Sequence, residues 1–501
     1  MFRISCKMNL ISFFLKLLLL CSFLHAQINY LSNIFSLPRN ALISEFSSFI
    51  KDSKSQKNIF GYNISYHNHL LVNSGHANLD NNAEIYSPGV SSRLISARFI
   101  YTNPWLLIEV EPYNMYYSKA FNSEPVNGTF QMNNNHTTDN HNRKTDIGFR
   151  QSRFILHYKG VGIGYGRMSH WWGPGFHSSL ALSSNAPSQK TYALGTFQDI
   201  LIGKFAFGFQ IIAMPYISSS DVQLYFSGLK SHLTYYSNPI ITIGFHRTYL
   251  SGDFGNLYTN TNSTDTWTLQ DAVRLVVEPL FGQSKRNLDY AMPGTPGFDA
   301  WDEVLTGYFK LTFPDENLVV YADVASDDNR GNITDLKTHW DHTLGYQLGF
   351  KKFTKIQKIN LFMGTEFLTT RTSNTFKPSF YRGDPNTINY YAKEPYDYFT
   401  YQGRRMGAHS GSSSDDLIFI LGFGYETSMM FVSWNKERHG IKSKIYPELK
   451  TELVLTYHHT ISNHQSAFIT LEYESIRNYG FIQDRISNSK LLWLGYSVSL
   501  R

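Results

Sequence analysis

Cysteine is almost absent from this chain, because only Cys6 and Cys21 occur among 501 residues. Both lie in the first 26 residues, where Arg3 and Lys7 precede an apolar run and Ala26 supplies a small residue at its end. This order is typical of a secretory signal peptide, which is removed after export. We therefore predict a signal peptide at 1–26 and a mature chain that is held together without disulfides.

Long apolar runs are also missing. After residue 26 no stretch approaches the roughly 18 apolar residues that a membrane-spanning helix needs. Aromatic residues are abundant, with 33 Tyr and 37 Phe making up most of a 16% share. Many aromatics in short alternating runs of a polar chain are typical of an outer-membrane β-barrel, which is polar inside and aromatic at its membrane borders.

The chain has only a small excess of positive over negative charge. The formal net charge is +6, but Arg3, Lys7 and Lys16 precede residue 27 with no acidic residue, which leaves +3. This charge is too small to indicate a nucleic-acid partner. Catalytic motifs are missing as well, since there is no GxSxG elbow, HExxH pair or P-loop. We expect a protein that is not an enzyme, with no cofactor, no metal and no nucleic-acid partner.

Glycine recurs with a period of two at 160, 162, 164 and 166, between Val161, Ile163 and Tyr165. A period of two is that of a strand, so one face of this strand carries no side chains. Such a face is kept where another segment or a ligand approaches the backbone closely, or where a barrel wall bends. Both interpretations remain open from the sequence.

Two tryptophans follow this strand, in the order His170-Trp171-Trp172-Gly173-Pro174-Gly175. Indole faces beside the donors Arg167 and His170 suit the apolar faces and hydroxyls of sugar rings. The alternatives are an aromatic belt at the membrane border or side chains that fill the barrel interior.

Arg404, Arg405 and His409 form a second candidate site for binding polysaccharide, in a segment rich in Tyr, Arg and Asp. The two arginines could instead line the lumen and pair with acids such as Asp415 and Asp416.

The run HWWGPGFHSSLALSSNAP resembles the signature of the capsule-assembly Wzi family of outer-membrane proteins. The segment Tyr401-Gln402-Gly403-Arg404-Arg405-Met406-Gly407-Ala408-His409 is similar to a second motif of that family. The resemblance implies an all-β transmembrane outer-membrane barrel of about 18 antiparallel strands with a small helical region on its periplasmic side. It also implies an outer-membrane lectin that holds exported capsule or exopolysaccharide on the cell surface.

The predicted organisation has three parts. The signal peptide is followed by a periplasmic segment at 27–84, in which Leu42, Ile43, Phe46, Phe49 and Ile50 have helical spacing. The barrel is predicted at 85–501, where alternation with a period of two persists to the last run, 490–501. Long polar stretches are the predicted extracellular loops: 118–145, 251–271, 283–300, 326–340, 371–416 and 435–444. Histidines in the first of them lack the regular spacing of a metal site.

The predicted function is a non-catalytic barrel in the outer membrane of a Gram-negative bacterium that binds and helps to anchor or assemble surface polysaccharide. Its partners would be that polysaccharide, outer-membrane lipid and the polysaccharide export machinery. A diffusion channel (porin) and an outer-membrane hydrolase are the alternatives. The residues predicted to bind polysaccharide are Arg167, His170, Trp171, Trp172, Arg404, Arg405 and His409.

Overall fold

The computed structural model describes most of the chain between residues 61 and 500. The described residues are 42, 44–46, 49, 61–76, 80–85, 89–121, 143–217, 223–251, 301–327, 344–371, 391, 399–402, 404–441 and 444–500. The predicted signal peptide and the histidine-rich stretch near residue 136 lie outside them. Within the described residues, no helix is long and apolar enough to cross a membrane.

Antiparallel strands account for nearly all of the described chain. Twenty-one of them form one sheet, and two further strands of two residues each, β17 and β18, form a separate hairpin. The strands are β1 Gly61–Asn73, β2 Ser91–Thr102, β3 Leu106–Val110, β4 Pro112–Phe121, β5 Arg143–Phe149, β6 Ser152–Tyr158, β7 Val161–Met168, β8 Gln189–Thr196, β9 Ile200–Ile202, β10 Phe205–Ile217, β11 Gln223–Tyr235, β12 Ile240–Ser251, β13 Trp301–Phe313, β14 Leu318–Asp327, β15 Leu344–Ile356, β16 Ile359–Thr369, β17 Thr400–Tyr401, β18 Arg404–Arg405, β19 Asp415–Tyr425, β20 Ser428–His439, β21 Glu448–Ser462, β22 Gln465–Arg477 and β23 Ile486–Leu500.

The large sheet closes on itself, because β1 pairs with β2 on one side and with β23 on the other. Three pairs of neighbouring segments each act as one broken strand: β3 with β4, β5 with β6, and β8 with β9. Counted in this way, the described strands form a closed antiparallel barrel of 18 strands. The predicted fold class and the strand number implied by the resemblance are confirmed.

The two faces of the wall differ as the period of two requires. On β22, Leu471 and Tyr473 are exposed on the outer face, whereas Glu472 and Glu474 are buried on the inner face. The apolar side chains therefore face lipid, and the charged ones face the lumen.

The connections at the two ends of the barrel differ in length. At one end the strands are joined by tight turns such as Lys159-Gly160 and Gln357-Lys358. At the other end lie the long connections, including 122–142, 252–300 and 370–414. Outer-membrane barrels have short periplasmic turns and longer extracellular loops. That the long connections of this chain face the cell exterior stays a prediction.

The predicted start of the barrel at residue 85 differs from the structure, in which Gly61–Asn73 is already a barrel strand. Tyr62, Ile64 and Tyr66 point outward, between polar residues that point inward. This is the alternation of a barrel wall, and its polar inner face made the segment resemble a periplasmic one. The predicted segment 27–84 therefore ends in a barrel strand.

A short helix packs against the inside of the wall near the tight-turn end. Leu42, Phe46 and Phe49 are helical, as their spacing predicts, while Ile43 and Ile50 lie outside the described residues. Phe46 is fully buried among aromatic rings, at 6.0 Å from Phe353 and 5.5 Å from Phe431 between ring centroids. The helix therefore stands at the periplasmic end of the lumen.

Replacing Phe46 with alanine is expected to detach this helix while the barrel stays closed. A buried Phe-to-Ala change costs about 3–5 kcal/mol, and Phe46 takes part in no strand pairing. Limited proteolysis should cleave near residue 46 in the variant while its folded barrel keeps its gel mobility. An exposed outer-face change, Phe419→Ala, serves as the control, and equal protection of both variants would contradict the prediction.

Candidate functional site: the lumen plug

Three connections at the long-loop end turn into the barrel. We call the described residues of 74–90, 169–188 and 399–414 the lumen plug. Their backbones bond to one another, as in Ser183 N to Met406 O at 2.6 Å and Ala83 N to Ser184 O at 3.1 Å. Because the three segments satisfy each other's polar backbone groups, they can pack inside the barrel.

The Trp-Gly-Pro-Gly turn presses directly on the wall. Trp171 Nε1 donates to Gly175 O at 2.8 Å and closes the turn. At Gly175 a Cβ atom would lie 2.1 Å from Gln347 Nε2, and at Gly173 the backbone has a φ of +137°. Only glycine allows this approach at both positions. The turn thus brings the next residues, from Phe176 onward, to the opposite wall.

The Ser-Leu-Ala-Leu-Ser-Ser-Asn-Ala-Pro run that follows is the centre of the plug. Its Asn185 joins all three connections, since Nδ2 donates to Arg405 O at 3.0 Å and Oδ1 accepts from Asn81 N at 3.2 Å. Leu180, Ala181 and Leu182 are buried. This composition of small and apolar residues is what an irregular segment needs to fit within a barrel.

One side of the plug is apolar. Trp172, 1% exposed, lies against Gly228, where a Cβ atom would be 2.6 Å from its ring. The same cluster joins plug residues to the inner faces of strands from β3 round to β16: Leu107, Ile155, Ile212, Met214, Leu224, Phe226, Leu250, Val304, Ala325 and Leu368. Burial of these side chains is the main apolar contribution to holding the plug.

The glycine face of β7 is also covered from inside. A Cβ atom on Gly164 would lie 3.0 Å from the ring of Phe197, which is 1% exposed. Phe197 N donates to Gly160 O at 2.6 Å. The segment that approaches the backbone of this strand closely is therefore part of the same chain, at Phe197 between β8 and β9.

The other side of the plug is held by polar contacts. Glu366 on β16 accepts from the backbone of the plug, from Phe176 N and Ser178 N at 2.7 Å each and from His177 N at 3.3 Å. Successive N–H groups that converge on one carboxylate form a charge-assisted nest. Glu366 is thereby the wall residue that fixes the tip of 169–188.

Next to this nest, two plug histidines meet one carboxylate of β19. His177 Nε2 and His409 Nε2 each lie 3.2 Å from Asp416 Oδ2. Burial alone would lower the pKa of His409, but Asp80, Asp416 and Glu437 outweigh it and raise that pKa well above its ordinary value. The electrostatic field at this point therefore favours positive charge.

Beyond them, one ammonium is surrounded by acids. Lys450 Nζ lies 2.8 Å from Glu437 Oε1, 3.3 Å from Glu474 Oε2 and 3.4 Å from Glu452 Oε2, and it also pairs with Asp80 of the plug. All of these contacts are inside the barrel. The charged side of the plug thus continues into the wall from β19 to β22.

The residues predicted to bind polysaccharide are mostly inside the plug. Trp172, His170, Arg404, Arg405 and His409 are each 5% exposed or less. Trp171 is half-buried in its turn. Of the alternatives for the tryptophan pair, the structure favours side chains that fill the barrel interior. The role of these residues in binding polysaccharide stays a prediction.

Their contacts are those of packing residues. Arg404 Nη1 donates to Ala83 O, and burial lowers the pKa of Arg405 to about 10. Burial likewise lowers the pKa of His170 to about 3, so its ring is neutral. Arg167 stands apart from the others, because it lies on the outward face of β7 and donates to Ser188 O at 3.1 Å.

A cavity of about 120 Å³ lies beneath the plug, between it and the helix. Asp80, Asn81 and His177 line it from the plug, and Phe431, Glu452 and Trp493 are among the wall residues around it. The cavity is polar on the plug side and aromatic on the other. It gives the charged side of the plug room for water or a small ion.

The matched family covers the first two plug segments. Residues 80–268 match the family described as Capsule assembly protein Wzi. The resemblance seen in the sequence is confirmed. The Wzi match contains the 170–187 run, whereas the motif at 401–409 lies outside the matched residues. No curated protein sequence matches the chain.

Solved structures share the barrel. One is Wzi of Escherichia coli, described as an outer membrane protein involved in group 1 capsule assembly and a carbohydrate binding β-barrel. It is 11% identical, with a TM-score of 0.57 over 92% of this chain and 87% of that one. OccAB4 of Acinetobacter baumannii (9% identity, 88% and 98% covered) and opdK of Pseudomonas aeruginosa (8%, 88% and 99%) have TM-scores of 0.43 and 0.42. The likeness to Wzi of Escherichia coli, with a TM-score above 0.5, shows that the fold is that of an outer-membrane barrel.

Sequence reasoning missed most of the wall side of the site. Glu366, Glu437 and Lys450 carry polar contacts of the plug but belong to no motif in the sequence. Asp416 was named as a possible lumen partner of the two arginines, and the structure places it beside His177 and His409. The inward position of these wall residues was the available signal, since a charge on the lumen face of a barrel is buried only with a partner. The partner itself lies far away in sequence.

Proposed function

We propose that this protein is a plugged outer-membrane barrel that binds capsular or exopolysaccharide and anchors it to the surface of a Gram-negative cell, without catalysis. The observation that carries the proposal is the plug, which joins the family signature at 170–187 to the wall on both sides of the lumen. A barrel filled in this way suits a binding protein better than a diffusion channel. The carbohydrate binding named for Wzi of Escherichia coli agrees with it.

Polymer contact on this proposal takes place on the long connections that the plug supports. Among the described ones, Ile445 is 88% exposed and Tyr446 is 38% exposed. Arg485 lies over the ring of Tyr479 at 5.3 Å. Exposed aromatic and aliphatic side chains beside guanidinium groups offer stacking and charge-assisted hydrogen bonds to sugars. Many weak contacts of this kind retain a repeating polymer through multivalency.

Arg404, Arg405, His409 and the tryptophans act as positioning residues in this scheme, because they lie within the plug, which supports the exposed connections above it. Export by a signal peptide at 1–26 and delivery of polymer by an export machinery are further parts of the proposal.

The test is the partition of surface polysaccharide between cells and medium. Deletion of the gene is expected to move polymer to the medium at unchanged total output, and the double variant Arg404→Ala/Arg405→Ala is expected to do the same with a folded barrel. The matched control is Lys355→Ala/Lys358→Ala, which removes two charges at the tight-turn end. An unchanged partition in the deletion strain would refute the function.

A further inference from the structure

The lumen wall beside the plug carries more negative than positive charge. Among the described residues, the inner faces of β19 to β22 and the plug bring together seven carboxylates: Asp80, Asp416, Glu437, Glu448, Glu452, Glu472 and Glu474. Lys450 is the lysine among them. Burial of so many like charges is favourable only when cations or protons neutralise them. His439 pairs with Glu437 and Glu448, and His76 pairs with Glu474, so these imidazoles and the ammonium group balance part of the negative charge. The carboxylates that remain favour a further positive charge beside Asp416.

Two imidazoles point into this region at the spacing of metal ligands. His177 Nε2 and His409 Nε2 are each 3.2 Å from Asp416 Oδ2. Two ligand atoms bound tetrahedrally at 2.0–2.1 Å from one ion lie about 3.3 Å apart. The three atoms all lie within 4.8 Å of one another. The spacing therefore fits a shared ion.

Two of these three atoms lack well-oriented hydrogen bonds. Nε2 of His409 and Oδ2 of Asp416 are buried and, within the part of the chain that the structure describes, neither makes a hydrogen bond of acceptable geometry. They are close but not aligned for one. A buried polar atom without such a bond is costly, and a bound ion removes that cost.

We propose that His177, His409 and Asp416 form a site for one divalent first-row transition ion, with zinc the best fit. Imidazole nitrogens select zinc over calcium or magnesium, which prefer oxygen ligands. Glu437, whose Oε1 lies 3.8 Å from His409 Nε2, or a water from the 120 Å³ cavity completes the coordination. The site joins 169–188 and 399–414 to β19 and so fastens the plug.

Two amide side chains form the outer shell. Asn435 Nδ2 donates to Asp416 Oδ1 at 2.6 Å, which leaves Oδ2 directed at the imidazoles. Asn435 Nδ2 is also 3.1 Å from His177 Nε2, a contact that the ion replaces. Metal binding at His409 Nε2 puts the ring proton on Nδ1, beside Asn81, whose Oδ1 has no hydrogen bond to any described residue. A rotation of that amide lets Oδ1 accept the proton.

The experiment uses the full-length mature chain, purified from outer membranes with a tag that contains no histidine. After removal of metals with a chelator, zinc is added and measured by titration calorimetry and elemental analysis. We expect one zinc per chain. In the variants His409→Gln and Asp416→Asn, the affinity for zinc should fall more than it does when an outer-shell partner is lost, which costs roughly 10–100-fold. Cobalt in place of zinc should give the visible absorption of a tetrahedral site.

Two controls separate this site from others. His157→Gln changes a buried lumen histidine outside the cluster and should leave zinc binding unchanged. His136→Gln/His141→Gln removes histidines of the polar loop at 118–145 and should also leave it unchanged. Folding of each variant is checked by gel mobility before and after heating. If a ligand variant fails to fold, Asn435→Ala replaces it, with a 10–100-fold loss expected.

Three results would overturn the proposal: a folded wild-type chain that retains no zinc, zinc binding that is equal in wild type and ligand variants, or binding that disappears with His136 and His141. In each case protonated imidazoles paired with Asp416 explain the geometry. The site does not depend on polysaccharide binding, so the partition of polymer and the zinc content are decided by separate measurements.

Discussion

Replacing Glu366 with alanine is expected to detach the tip of the plug and make the barrel conduct ions. The carboxylate accepts three backbone N–H groups of Phe176, His177 and Ser178, together with the hydroxyl of Tyr321. Each hydrogen bond to a charged group contributes about 1.5–3 kcal/mol, so the loss of three N–H contacts costs about 5 kcal/mol or more. The N–H groups left behind in the lumen would require water, which enters only if the tip moves.

The effect should be local, because Glu366 is joined to its own strand partners by ladder bonds that the change does not touch. Single-channel recording in planar bilayers should show a low and steady conductance for the wild type and larger, fluctuating openings for the variant. Glu109→Ala, which removes another buried acid of the lumen wall, paired with Arg98 and Arg153, is the matched control. A wild type that already conducts as a porin does would contradict both this prediction and the function proposed here.

Replacing Lys450 with methionine is expected to destabilise the barrel as a whole, rather than one segment of the plug. Its ammonium group lies within 3.4 Å of Glu437, Glu452 and Glu474 and also pairs with Asp80. Removing one partner of a buried ion pair costs about 3–5 kcal/mol, because the other partner keeps its charge without compensation. Here four carboxylates lose one shared cation. We expect the variant in detergent to unfold at a lower denaturant concentration than the wild type. Unfolding is measured by gel electrophoresis, because the folded barrel migrates faster than the unfolded chain.

The matched control is Lys436→Met on the neighbouring strand, whose side chain is exposed on the outer face. A third variant, Lys450→Met combined with Glu437→Gln and Glu452→Gln, should recover part of the lost stability because it removes two of the uncompensated charges. Equal midpoints for Lys450→Met and Lys436→Met would show that the ammonium group contributes nothing to the fold.

The barrel could be predicted from the sequence because every strand of its wall alternates between outward and inward side chains. Alternation with a period of two, as in Leu471 and Tyr473 against Glu472 and Glu474, shows which face is apolar without any knowledge of the partner strand. The first strand was the exception. The alternation was predicted to begin only near residue 85, although Tyr62, Ile64 and Tyr66 alternate with polar residues on this strand in the same way.

The sequence located the segment of the candidate site but did not show what its side chains contact. The dense run at 170–187 marked the right segment, and its glycines marked a close approach. Whether Trp172 faces a ligand or the protein interior depends on what lies opposite, and Gly228 is supplied by a strand more than fifty residues away. Likewise, nothing local connects His409 with Asp80, because closure of the barrel brings them together.

Strict alternation in the wall also limits how such a chain can change in length. Deletion of one residue within β22 would exchange the two faces of the rest of that strand, placing Glu472 and Glu474 in the lipid and Leu471 and Tyr473 in the lumen. Either Glu474 loses its ion pair with Lys450, or β22 must shift its hydrogen-bond register against β21. Insertions and deletions are therefore tolerable in the wall only in steps of two, and the contacts of the lumen plug fix the lengths of its three segments as well. Changes of length are free to accumulate only in the connections that neither pair in the wall nor pack in the plug.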